Sequence, residues 1–321
     1  MLAIQAARAG GPEVLERVDL PVPSPGPGQI LVRHQAVGLN FIDTYHRSGL
    51  YPMKMPAVLG LEAAGIVEAV GDGVTRFVVG DRVAYNGTLG AYAEAAVVPA
   101  NRAVKVPDTV SLETAAAVLL KGMTAEFLVR RCHRIEAGQT ALIHAAAGGV
   151  GSILVQWAKA LGATVIATVG SETKAALARD HGADHVILYG QEDVSARVAE
   201  ITGGQGVAIV YDGVGKDTFE ASLKSLGRRG VLATFGNASG PAPAITPLEL
   251  AGKSLFLTRP RLFDYIVTTE ELDESAAALF AVLASGEVKI EVGQSFPLAE
   301  ARAAHESLEG RRTTGATLLI P

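Results

Sequence analysis

The run Ala146-Ala147-Gly148-Gly149-Val150-Gly151 is the stretch of this sequence best suited to hold a ligand. It lies between an apolar strand predicted over residues 140–145 and a helix predicted over residues 150–161, which Gly162 ends. The spacing is that of the dinucleotide fingerprint, with Ala146 at the first glycine position. A pyrophosphate can sit on a helix N-terminus only where backbone N–H groups come within hydrogen-bonding distance. Gly149 puts no side chain in the way of that approach, and Gly151 lets the helix pack closely on the strand. Gly148, Gly149 and Val150 are therefore the candidate phosphate-binding positions.

The residues after the second strand, predicted over 164–169, indicate which dinucleotide is held. Folds that select NAD place an Asp or Glu there to take the ribose 2′-hydroxyl. This sequence reads Gly170-Ser171-Glu172-Thr173-Lys174 instead. No carboxylate occupies the tip, and Glu172 falls in the first turn of a helix, where it complements the helix dipole. Ser171 can hydrogen-bond a 2′-phosphate and Lys174 can neutralise it. The expected cofactor is NADPH rather than NADH. Ligands in such sheets sit outside the carboxyl ends of the strands. Tyr189, Gly213, Phe235, Gly236 and Asn237 fall at those ends and join the candidate cofactor contacts.

The elements that must position these residues follow from periodicity. From Gln139 onward strands alternate with helices, and the runs at 207–211 and 231–235 are continuously apolar, as in parallel strands covered on both faces. That pattern predicts a doubly wound parallel sheet. The first third is different, with short strand-like runs at 29–37, 64–70, 82–86 and 92–99 between Gly, Pro and Asn turns. The fold class is α/β, with a β-rich first domain. A helix at 272–285 and a strand at 316–320 have no place in a completed nucleotide-binding sheet and are expected to return to that first domain. The expected domains are 1–122 with 261–321, and 123–260.

Composition removes several functions. The 321 residues carry a net charge of −5, which leaves no basic excess for a phosphate backbone, so no nucleic-acid partner is expected. A single cysteine, Cys132, excludes an internal disulfide and a cysteine-built zinc site. The seven histidines are scattered without ligand spacing. The most apolar stretch, 115–129, is interrupted by Lys121, Thr124 and Glu126, short of the roughly 20 apolar residues that span a bilayer. With no secretory leader visible, a soluble cytoplasmic protein with no membrane partner is expected.

The nucleotide stretch from Gly138 through Gly151 to Gln156 and Lys159 resembles the zinc-free quinone oxidoreductase (ζ-crystallin-like) branch of the medium-chain dehydrogenase/reductase superfamily. So do Gly10 to Leu15, Gly38 to Tyr45, Gly49-Leu50-Tyr51-Pro52 and Gly80-Asp81-Arg82-Val83. The resemblance runs nearly end to end. It implies a Rossmann-type NADPH-binding domain beside a GroES-like catalytic domain. Zinc alcohol dehydrogenases of the same superfamily carry a histidine ligand where this chain has Leu61, and their ligand cysteine falls near Asn40, so no metal is expected. Without a Lewis acid to lower an alcohol's pKa, an electron-poor acceptor fits better.

The resemblance also implies a substrate cleft beside the nicotinamide. Asn40, Asp43, Tyr45 and Tyr51 correspond to its residues, Asn40 also to a cofactor contact. Asn40 and Tyr45 are candidate donors to an oxygen gaining charge, and Tyr51 is a candidate wall for a planar quinone. Lys121, Thr124, Leu262, Phe263 and Arg311 are further cofactor candidates by resemblance. The expected activity is NADPH-dependent reduction of a quinone, by a homodimer that pairs along a strand at 254–258. Two alternatives stay open: reduction of an activated C=C bond in an enone or enoyl thioester, and non-catalytic NADPH binding.

Overall fold

The alternation from Gln139 onward folds into one parallel sheet. The computed structural model describes all residues, Met1–Pro321. The chain forms two compact units: Met1–Met123 with Ile266–Ala284 and Ile290–Pro321, and Thr124–Tyr265 with Ser285–Lys289. The crossings fall at 123/124 and 265/266, where 122/123 and 260/261 were expected. The return of Ser285–Lys289 to the second unit had no signal in the sequence. Its cause is Gln156, whose amide donates to the Lys289 carbonyl (3.0 Å) and accepts from the Lys289 N–H (2.8 Å).

In the second unit six parallel strands lie in the order His185–Leu188, Thr164–Val169, Thr140–Ile143, Val207–Asp212, Leu226–Thr234, Phe256–Thr258. Numbered along the chain that order is 3-2-1-4-5-6, the doubly wound arrangement. Its direction reverses beside Thr140–Ile143, where such sheets take their ligand. Leu142, Ile166, Ile187, Val210 and Leu232 point into one buried cluster with Val198 and Phe219 from the covering helices. Leu226–Thr234 begins earlier than the apolar run at 231–235 predicts. Arg228 and Arg229, which read as a solvated turn by composition, are exposed at a break in the ladder: Arg229 is left-handed (φ 59°), neither pairs with Val207–Asp212, and the Arg229 N–H bonds the Lys253 carbonyl (2.8 Å).

The first unit is built on Gln29–Leu39, an eleven-residue strand. It pairs antiparallel with Glu62–Val70, Ala95–Pro99 and the C-terminal Ala316–Ile320. That last pairing brings the end of the chain back to the first unit. Ile30, Val32, Val37 and Leu39 enter the same buried cluster as Leu59, Val67, Tyr85, Tyr92 and Leu319. The helix Phe41–Ser48 leaves directly from the end of the long strand. No helix is long and apolar enough to cross a membrane.

Candidate functional site

The glycine turn in the second unit is drawn tight by its own backbone. Ala145 takes a left-handed conformation (φ 51°). The Gly148 N–H bonds the Ala145 carbonyl (2.8 Å), and the Ala146 N–H bonds the Thr168 carbonyl on the next strand (3.1 Å). A Cβ on Gly151 would overlap the Ala145 carbonyl oxygen, so only glycine lets the helix Gly149–Ala160 start this close to the strand. The first N–H groups of a helix have no partner within it. Those of Gly149 and Val150 lie in a part-exposed segment at the carboxyl end of the sheet. That is a cradle for an anion.

The tip of the second strand is free of carboxylate at the predicted position. Ser171 caps the helix Glu172–Asp180 and accepts the Lys174 N–H on its hydroxyl oxygen (3.3 Å). The serine proton stays available to donate. Tyr189, 45% exposed, projects over Gly170 so closely that a Cβ there would collide with its hydroxyl. Gly170 and Tyr189 thus meet beside Ser171, whose hydroxyl oxygen holds the Lys174 backbone N–H.

Further along the same sheet edge, the Phe235 ring lies against Gly213, and Gly236 packs on the Gly213 carbonyl. Asn237 follows in the turn that closes on Gly240. Leu262 is buried and Phe263 part-buried in a single turn of 3-10 helix. Thr124 is buried in the helix Leu112–Phe127.

The first unit holds the other candidates, and a group that sequence reasoning missed. Glu62 is wholly buried. One of its oxygens accepts the Leu120 N–H (2.6 Å), and the other accepts the Asn40 amide (2.8 Å) and the Lys121 ammonium (3.0 Å). The only sequence signal was the acid beside Leu61. Both amide hydrogens of Asn40 are engaged, one by Glu62 and one by the Gly38 carbonyl (3.3 Å). The donor role expected of Asn40 toward a substrate oxygen is therefore corrected, because a carboxylate that can only accept has claimed the donor.

Asp43 is corrected in the same way. Its carboxylate is fully buried and accepts the Asn40 N–H (2.9 Å) and the Tyr92 hydroxyl (3.0 Å), so it reaches any cofactor only through Asn40. Burial pushes its pKa up to about 7. Beyond Tyr92 lie His305 (2.9 Å), then Arg47, which holds Glu309 through two hydrogen bonds. Tyr45 is buried, edge-on to Tyr51 with ring centres 5.3 Å apart. Arg311 is exposed in a left-handed turn after the helix Ala301–Glu309.

Residues 26–108 match the family model of the alcohol dehydrogenase GroES-like domain, and residues 149–281 that of the zinc-binding dehydrogenases. The chain is 53% identical over 321 residues to a quinone oxidoreductase of Pseudomonas aeruginosa, with 99% of each chain covered. It belongs to the medium-chain dehydrogenase/reductase family, in the quinone oxidoreductase branch. A crystal structure of Escherichia coli quinone oxidoreductase complexed with NADPH superposes with a TM-score of 0.98 at 48% identity, over 100% of both chains. A 2-haloacrylate reductase of Burkholderia is 46% identical over 330 residues, covering 100% of this chain and 99% of its own.

The zinc of the wider family does not fit the residues here. Leu61 offers no ligand atom, and no group of three or more His, Cys, Asp or Glu side chains comes together. The three buried histidines are all hydrogen-bonded: His34 to the Ala93 carbonyl and Tyr85, His144 to Thr168 and Ser222, His305 to Arg47 and Tyr92.

Proposed function

We propose that this protein is an NADPH-dependent quinone reductase that needs no metal. The observation that carries the proposal is the end-to-end identity with bacterial quinone oxidoreductases, one of them solved with NADPH. The residues fit that cofactor. Gly148, Gly149 and Val150 would take the pyrophosphate, and Ser171, Lys174 and Tyr189 the adenosine end with its 2′-phosphate. Gly213, Phe235, Gly236 and Asn237 would line the rest, with Asn40, Lys121, Thr124, Leu262, Phe263 and Arg311 as further contacts and Asp43 acting only through Asn40. NADPH supplies a hydride, or its electrons one at a time, when bound.

The protein's part is to orient the acceptor and exclude competing reactions. Tyr45, edge-on to Tyr51, would offer its hydroxyl to an oxygen gaining charge, and Tyr51 would offer a wall to a planar quinone. With its amide held by Glu62, Asn40 is a fixed rather than a searching group. Catalysis by positioning of this kind supplies up to about 7–11 kcal/mol of a barrier in well-oriented reactions. We further propose a cytoplasmic homodimer. Its support is the edge strand Phe256–Thr258, where Phe256 and Leu257 lie exposed beside an unpaired backbone edge.

The 2-haloacrylate reductase among the relatives favours a second reading, reduction of an activated C=C bond. Parallel assays with a benzoquinone and a simple enone, each with NADPH and chelator-treated protein, separate the two. Turnover of the quinone supports the proposal, turnover of the enone alone supports the second reading, and binding without either turnover supports a non-catalytic NADPH protein.

A further inference from the structure

Beneath the glycine turn the second unit contains a buried histidine, serine and aspartate in contact. His144 Nε2 lies 3.0 Å from Ser222 Oγ, and that hydroxyl donates to Asp212 Oδ2 at 2.9 Å. His144 Nδ1 lies 2.9 Å from Thr168 Oγ1. The order excludes nucleophilic chemistry. The serine stands between histidine and aspartate and gives its proton to the carboxylate, and all three side chains are buried.

The direction of each bond can be worked out from the acceptor end. Asp212 accepts from Ser222, from Thr218 Oγ1 (2.8 Å) and from the N–H groups of Val214 (2.8 Å) and Gly215 (3.0 Å). Ser222 has spent its only proton on that carboxylate, so it accepts from His144. The proton of His144 is thus on Nε2, and Nδ1 accepts from Thr168. Burial pushes the imidazole pKa down, which keeps this single proton in place. The result is a one-way chain, Thr168 to His144 to Ser222 to Asp212, with no donor or acceptor wasted.

The chain joins the carboxyl ends of three parallel strands and the helix Phe219–Ser225. At one end His144 directly precedes left-handed Ala145 and the Gly148–Val150 cradle. At the other, Asp212 shapes the turn that begins with Gly213. We propose that His144, Ser222 and Asp212 are positioning residues that set the phosphate cradle against the Gly213–Gly215 turn, so that a bound dinucleotide meets both at once. This rests on the cofactor assignment given under Proposed function.

Ser222→Ala removes the central link and Thr168→Val removes the first with little change of shape. Each is titrated with NADPH and with 2′,5′-ADP, which keeps the adenosine end but has no nicotinamide half. The expected result is a Kd for NADPH raised about 10-fold, with the Kd for 2′,5′-ADP and kcat at saturating NADPH within about two-fold of the unaltered protein. Unchanged NADPH binding in both variants overturns the inference. Equal weakening of both ligands together with a lowered Tm also overturns it, since that marks a merely structural role. Failure of the unaltered protein to bind NADPH would instead sink the cofactor assignment itself.

Discussion

The Tyr189 hydroxyl lies over the Cα of Gly170, in the space that any side chain at that position would fill. A strand end and the tyrosine that follows the neighbouring strand thereby pack against each other, beside Ser171. Gly170→Ala should displace the ring. Because Tyr189 is 45% exposed and free to turn outward, the loss of stability should stay below about 1 kcal/mol. NADPH affinity should fall several-fold, and as much in Tyr189→Ala. The double variant should lose no more than either single one, because both act through the same ring. Additive losses in a binding titration would contradict the contact.

Lys174 is the cation proposed to meet the 2′-phosphate. Lys174→Glu should lower the preference for NADPH over NADH by about 10- to 100-fold, the worth of one charge-assisted hydrogen bond. The change should come from weaker NADPH, seen as KM, while kcat holds. An unaltered ratio of kcat/KM for the two cofactors would place the 2′-phosphate elsewhere.

Glu62 and Lys121 form an ion pair at 3.0 Å with both side chains buried. Glu62→Ala leaves the ammonium without its partner and should cost about 3–5 kcal/mol in denaturant unfolding. Adding Lys121→Met should recover most of that loss, since the unpaired charge is then gone. If the double variant is as unstable as the single one, the cost lies in packing rather than charge.

Stability should depend on pH through three buried groups in the first unit. The Asp43 carboxyl rises to about 7 from an ordinary 3.8, so its contribution is full below 3.8 and fades as pH climbs to 7. His34 and His305 behave oppositely. Burial lowers them to about 4 and about 3, so their contribution is full above 6.5 and is lost as pH falls through those values. Between roughly pH 4.5 and 6 the two histidines outweigh the one aspartate, and acid should destabilise the protein. Asp43→Asn removes the opposing group and should steepen that loss by about 1.4 kcal/mol per pH unit. Urea unfolding across the range tests it; an unchanged slope would mean that Asp43 titrates near its ordinary value.

Much of the fold was legible because the signals are local. The strands Val207–Asp212, Arg82–Asn86 and Ala316–Ile320 fall where their apolar runs and turns put them. Leu226–Thr234 starts earlier than its pattern suggests because Leu226 pairs with Val207, after which the ladder breaks at the exposed Arg228 and Arg229 and resumes at Val231. The helix Phe41–Ser48 is only eight residues long. Its marks are Asn40 at the cap, Asp43 three residues later and Gly49 at the far end, which are easily passed over as a segment of polar candidates.

The candidate residues of the second unit were easier to pick out in the sequence than those of the first. A glycine turn and the residues after a strand carry their meaning in adjacent positions. Asn40 and Asp43 derive theirs from partners far along the chain: Glu62, Tyr92 and, through Tyr92, His305. Reading Asn40 as a donor followed from its type alone, and only the folded chain shows where its hydrogens go. The chain from Thr168 to Asp212 is a further case, since its members look like unremarkable core and turn residues one at a time.

The most direct test of the account is anaerobic mixing of chelator-treated protein, loaded with one equivalent of NADPH, with a benzoquinone, while the reduced nicotinamide absorbance is followed. The account predicts complete loss of that absorbance with stoichiometric hydroquinone, and much slower loss when NADH replaces NADPH. Retention of bound, unoxidised NADPH in the presence of quinone would contradict it.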